Sequence, residues 1–252
     1  IGLIIAVGYF FLSGDPSMLI RQIAGGIGSQ PQQSAPVQTS EQEEQVKEFV
    51  SVVLADTEDV WKGIFKQNGL TYQDPTLVLY TDQTPTACGT GQAAAGPFYC
   101  PGDKKLYLDL SFLGEMKRMG ATGDFALAYV IAHEVGHHIQ TLVGTADKVR
   151  QMQARSSQQQ SNQIQVRMEL QADCFAGVWA HHAERQRQIL EEGDIEEGIR
   201  AAASVGDDHL QRMAGRRVVP EAFTHGSSEQ RMDWLKRGLR TGDVQACNAF
   251  EA

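Results

Sequence analysis

The chain has 252 residues, of which 42% are hydrophobic, and a formal net charge of −9. That length is enough for one domain with a substantial core once an N-terminal segment is set aside. The acidic balance and the lack of a long basic run argue against nucleic acid as a partner.

The N-terminus opens with Ile1–Leu12 (IGLIIAVGYFFL), uncharged and mostly apolar. A membrane-crossing helix needs about 20 such residues, so this stretch reads as the outer part of a single transmembrane helix, with Tyr9 and Phe10 near an interface. A signal-peptide core and a buried strand are the competing readings. A turn, Ser13–Ser17, follows rather than a small-residue cleavage site. Residues 1–24 are therefore expected to form an anchor and juxtamembrane segment. Residues 25–44, rich in Gly, Gln, Ser and Pro, are expected to be a flexible tether, and 45–252 the folded domain.

Val46, Phe49, Val50, Val53, Leu54, Val60, Trp61, Ile64 and Phe65 recur at helical spacing and predict a first long helix. Leu77–Tyr80, Pro97–Cys100 and Leu106–Leu110 read as short strands, with Leu106–Leu110 the candidate sheet edge. Four cysteines allow three pairings. Cys88–Cys100, bracketing a Gly/Ala-rich loop, and Cys174–Cys247 are favoured, and four free thiols are the alternative. Disulfides would place the domain in an oxidising compartment.

Residues 131–140 contain His133-Glu134-x-x-His137. Histidines four apart lie one turn above each other on one helix face and can reach one Zn²⁺. Glu134 points about 100° around the helix, beside the metal, where it can act as general base. The flanks, Phe125–Ala132 and Val135–Val143, are too apolar for a solvated helix, and a buried histidine pair needs a partner. Gly136 weakens the helix by about 1 kcal/mol relative to alanine and implies close packing or substrate access. His138 points away from the zinc face and reads as a packing or surface histidine.

A catalytic zinc takes three protein ligands and leaves one position open. Downstream, Glu169 and Asp173 share a face of a largely apolar helix. Glu169 is the candidate third ligand. Asp173 is the candidate acceptor for the other ring N–H of His133, which would set its tautomer. His181 and His182 are expected to end that helix, where a cation suits the dipole. Thr145–Gln165, polar and Gln-rich, reads as a solvated helix, with a mobile cover over the cleft as the alternative.

Glu-x-x-Ala-Asp after His-Glu-x-x-His resembles the glutamate-zincin arrangement. The wider string resembles the bacterial, membrane-anchored putative neutral zinc metallopeptidases, in Val50–Trp61, Ala95–Asp109, Gly123–Gln140, Val166–Trp179, Gly206–Leu210, Arg217–Pro220, Phe223–Ser228 and Trp234–Gly242. The resemblance implies an α+β zincin-like domain, mostly helical, with a small sheet over the active-site helix and a single N-terminal transmembrane helix. It also implies zinc dependence and peptidase activity. Phe223–Arg231 is similar to the Thr-His-Pro-Ser-x-x-x-Arg segment of other membrane metalloproteases, which implies an oxyanion-stabilising role for His225. Here Gly226 stands in place of the proline, and a helix-capping role for His225 is the alternative. Arg231 could orient Asp207 or Asp208, or bind substrate.

The expectation is a zinc metalloendopeptidase of the bacterial envelope, a single-pass membrane protein with its catalytic domain in the periplasm or at the cell exterior. It would act on protein or peptide substrates through a zinc-activated water, with Glu134 as base. The rival readings are a zinc-stabilised, membrane-tethered interaction module without turnover, and a zinc hydrolase of a non-peptide bond. An intact Glu134 argues against the module, since a structural site needs no base.

Overall fold

Helix α1 (Glu41–Gln67) forms because its apolar residues fall on one stripe, and Val50, Val53, Leu54, Val60, Trp61 and Phe65 are buried. It ends at Gly69, whose φ of 70° is left-handed and whose N–H bonds back to Lys66. The computed structural model describes residues 41–92, 96–112, 116 and 118–250. The expected anchor at 1–24 lies outside the described residues, as does the tether as far as residue 40, and residues 41–44 are helical rather than tether. Among the described residues no helix is long and apolar enough to cross a membrane.

The chain is α+β, mostly helical with a small sheet. Strand β1 (Thr76–Tyr80) pairs in parallel with β5 (Lys105–Asp109), and β4 (Phe98–Cys100) pairs antiparallel with the other side of β5. The expectation that Leu106–Leu110 is an edge is therefore wrong: β5 is central, and Leu106–Asp109 are all buried, as suits a strand covered on both faces. The edge beside the helices is β4. A second pair, β2 (Gln83–Thr86) with β3 (Gly89–Gln92), forms a hairpin that carries no alternating apolar pattern. The Cys88–Cys100 disulfide ties that hairpin to β4.

Among the elements that follow are helices α2 (Asp124–Leu142), α3 (Thr145–Gln153), α4 (Gln158–Arg187), α5 (Asp194–Ser204), α6 (Asp207–Met213) and α7 (Ser228–Thr241), with a 3-10 turn at Val244–Cys247. Capping boxes start α4 (Ser157 with Gln160) and α7 (Ser227 with Gln230). Helices α2 and α7 each meet α4 at small residues. A Cβ on Gly136 of α2 would lie 3.0 Å from the Ala172 backbone of α4, so this glycine serves close packing rather than substrate access. Gly177 of α4 and Gly238 of α7 face each other, and a Cβ on either would collide with backbone of the other helix. The Cys174–Cys247 disulfide fastens the C-terminal turn to α4.

Residues 145–165 are not simply a solvated helix. Residues 145–153 form α3, whose Ala146 and Val149 are buried against Ile164 and Met168 of α4. Helix α4 also runs on to Arg187, so His181 and His182 do not end it. Their rings instead donate to the carbonyls of Leu239 and Gly242, at the C-terminal end of α7.

Candidate metal centre

Helix α2 presents His133 and His137 one turn apart, with ring centroids 4.8 Å apart and planes nearly perpendicular. Helix α4 crosses it at Gly136 and Ala172 and brings Glu169 between them. Glu169 Oε2 lies 3.2 Å from His133 Nε2 and 3.4 Å from His137 Nε2. The other carboxylate oxygen accepts from Gln165 Nε2 at 2.8 Å.

The protonation pattern tests whether an ion fits here. His133 Nδ1 is 2.8 Å from Asp173 Oδ1, and His137 Nδ1 is 2.9 Å from Gln140 Oε1. Each acceptor takes an N–H from Nδ1, so in the neutral rings both Nε2 atoms carry lone pairs. These and the Glu169 oxygen are then electron-pair donors within 4.8 Å of one another, an arrangement held together by protons when the site is empty and suited to a metal ion in their place. Two imidazoles and one carboxylate form a ligand set that suits zinc and leaves a position open.

Asp173 is fully buried and heavily bonded. Its Oδ1 accepts from His133, from Tyr129 OH at 2.6 Å and from Arg231 Nη2 at 2.8 Å, and its Oδ2 accepts from Arg231 Nε at 2.8 Å. Burial alone would raise the Asp173 pKa, but the Arg231 and His133 charges outweigh it and hold it at about 2. For the side chains alone, burial disfavours charge on His133, yet Asp173 and Glu169 prevail and raise it to about 9. Glu169 sits well below the usual carboxylate range: its burial is offset by the His137 charge and by both histidine hydrogen bonds.

Glu134 is buried beside this group, and burial raises its pKa against the pull of the two histidines. The nearby backbone of Tyr99 in β4 also favours its charged form, more weakly. Glu134 and Tyr99 line an open cleft together with His137 and Glu169. Phe98, Tyr99 and Pro101 form one wall, and Ala146, Val149 and Met168 the other.

Arg231 does not reach Asp207 or Asp208, and it does not face the cleft. It is 3% exposed and committed to Asp173, Tyr129 and the Val205 carbonyl. Asp207 instead gathers the loop before α7, accepting the N–H groups of Thr224, His225 and Gly226 at 2.6–3.0 Å. His225 Nδ1 lies 3.2 Å from Asp207 Oδ1, so the ring is held by that carboxylate. Gly226 has φ of 93° and donates its N–H, and a proline could do neither. The loop is thus built around the glycine. Asp208 pairs with Arg212 and accepts from Ser228.

His138 is fully buried between Tyr99 OH, at 3.1 Å, and the Gln73 carbonyl, at 2.6 Å, away from the metal group. Sequence reasoning missed Gln140, Gln165 and Tyr129. Gln140 follows His137 by three residues and Gln165 precedes Glu169 by four, spacings that put each on its ligand's face. Tyr129 precedes His133 by four and was legible in the same way.

The sequence model described as Putative neutral zinc metallopeptidase matches residues 1–250. The chain belongs to this family. Zn²⁺ is accordingly its cofactor, and His133, His137 and Glu169 form the site that fits it. The uncharacterized protein YpfJ of Escherichia coli is 52% identical over 231 residues, covering 90% of this chain and 80% of its own. The uncharacterized proteins Mb2605 of Mycobacterium bovis and Rv2575 of Mycobacterium tuberculosis are each 40% identical over 204 residues, covering 77% of this chain and 67% of their own. No solved structure matches the chain.

Proposed function

We propose that this metallopeptidase-family chain is an active zinc endopeptidase that cleaves extracytoplasmic proteins or peptides. The observation that carries the reading is Glu134, a buried carboxylate aimed beside a three-ligand site at the floor of an open cleft. A purely structural zinc site closes its fourth position and needs no base.

Bound zinc would acidify a water and polarise the scissile carbonyl. The rest is done by the chain. Glu134 takes the proton of the attacking water and passes it to the leaving amine. His225, held through Nδ1 by Asp207, is the donor assigned to the developing oxyanion. β4 is an edge strand, and its Phe98 and Tyr99 line the same cleft as Glu134. A substrate in extended form adds to that edge and lies along the cleft.

An extracytoplasmic setting is supported by the two disulfides, which persist in oxidising compartments. Tethering through residues 1–24 belongs to the same proposal and rests on their composition. The deciding experiment measures zinc per chain and cleavage of an unfolded protein, for the wild type and Glu134→Gln. Stoichiometric zinc in both, with cleavage only in the wild type, is expected. Zinc without cleavage in either would favour a binding module.

A further inference from the structure

A neutral histidine that binds metal through Nε2 carries its proton on Nδ1, and the acceptor there fixes the tautomer and the ring's orientation, so it is part of the site. For His133 that acceptor is the Asp173 carboxylate. For His137 it is a neutral amide, Gln140 Oε1 at 2.9 Å. Gln140 is fully buried, and its orientation is decided by what lies behind it. Its Nε2 is 2.8 Å from the Met168 carbonyl and 3.1 Å from Gln171 Oε1. A carbonyl can only accept, so the NH₂ end must face α4 and the oxygen must face His137.

Gln171 is oriented in the same manner. It is 7% exposed, and its Nε2 donates to the Cys247 carbonyl at 3.0 Å. Its oxygen is thereby turned toward Gln140. The result is a one-way relay, His137 Nδ1–H to Gln140, Gln140 to Gln171, Gln171 to the Cys247 carbonyl. The last acceptor belongs to the C-terminal 3-10 turn and is held in place by the Cys174–Cys247 disulfide. The close approach of α2 and α4 at Gly136 and Ala172 lets amide side chains bridge the helices.

We propose that Gln140 and Gln171 are positioning residues for His137, and that the disulfide-held C-terminal turn sets the metal affinity of the site through them. The inference rests on the assignment of His133, His137 and Glu169 as zinc ligands. Packing alone does not account for two buried amides where leucines of similar volume would fill the space without needing partners.

The test uses the full chain, stripped of metal and reloaded, with Gln140→Leu, Gln171→Leu and the paired Cys174→Ala/Cys247→Ala. Zinc affinity is read by competition with a chromophoric chelator. The His137 Nδ1–H proton is followed by ¹⁵N-edited NMR and its exchange with solvent is timed. Gln140→Leu should lower zinc affinity about 10- to 100-fold, the range for such orienting partners. Gln171→Leu and the cysteine pair should lower it several-fold and should not add when combined, because they cut the same relay. In each, the His137 proton should exchange faster than in wild type. Zinc affinity within twofold of wild type, an unchanged proton and only a lower melting temperature in Gln171→Leu would overturn the proposal. If the wild type held no zinc, the ligand assignment would fall, and the proton exchange would still decide the relay.

Discussion

Arg231 and Asp173 form a two-pronged ion pair, with both contacts at 2.8 Å, in a part of the protein that excludes water. The pair lies behind His133 rather than in the cleft. Its carboxylate is shared with the ring N–H of a metal ligand, so the charge balance of the core and the geometry of the centre depend on the same four atoms. Removing one partner leaves an uncompensated buried charge, which costs more than the pair contributes when whole.

Arg231→Met should therefore destabilise the protein by about 3–5 kcal/mol, the range for breaking a buried pair, and should weaken zinc retention as well. Denaturant unfolding of the metal-free and zinc-loaded protein checks both. A loss under 1 kcal/mol would mean that Asp173 finds another partner.

Glu134→Gln should retain stoichiometric zinc while turnover falls at least about 10²-fold, the contribution expected of a general base. Single-turnover cleavage of an unfolded substrate, alongside metal analysis, reads this out. Wild-type turnover would exclude Glu134 as the base.

His225→Ala should lower kcat about 10²- to 10³-fold with little change in KM, because an oxyanion donor acts only in the transition state. A change confined to KM would assign His225 to substrate binding instead. Gly226→Pro should disturb the same step by removing an N–H from Asp207 and forbidding the observed φ of 93°.

Acid should destabilise the metal-free protein partly through Asp173. Its pKa falls from the usual 3.8 to about 2 on folding. A depressed carboxylate stabilises the fold above its unfolded pKa and loses that contribution as pH falls through the folded value. The window is therefore roughly pH 4 to 2, and the shift corresponds to about 2 kcal/mol. Urea melts of the wild type and Asp173→Asn should converge across that window. Parallel curves would show that Asp173 is not the group responsible.

The metal centre was largely legible because its parts are local. His133 and His137, and likewise Glu169 and Asp173, are spaced at helical intervals, and a helix turns spacing into geometry. What could not be read was non-local. Arg231 meets Asp173 across 58 positions, and nothing in either neighbourhood announces the other. The centrality of β5 depends on pairing with two separate strands. The β2–β3 hairpin consists of Gln, Thr, Pro and Gly, with no apolar alternation to mark it. The length of α4 was missed because polar residues continue the helix to Arg187 beyond its buried face.

The glycine contact between α4 and α7 has a further meaning. Gly177 and Gly238 allow the two helix backbones to touch, and such a contact exists at one relative setting only. Sliding α7 by a residue would rotate its side chains by about 100° and carry Arg231 off Asp173. The seam thus acts as a ruler: two residues without side chains decide where a charge about two helical turns away must stand. One added methyl at the seam would be felt at the metal.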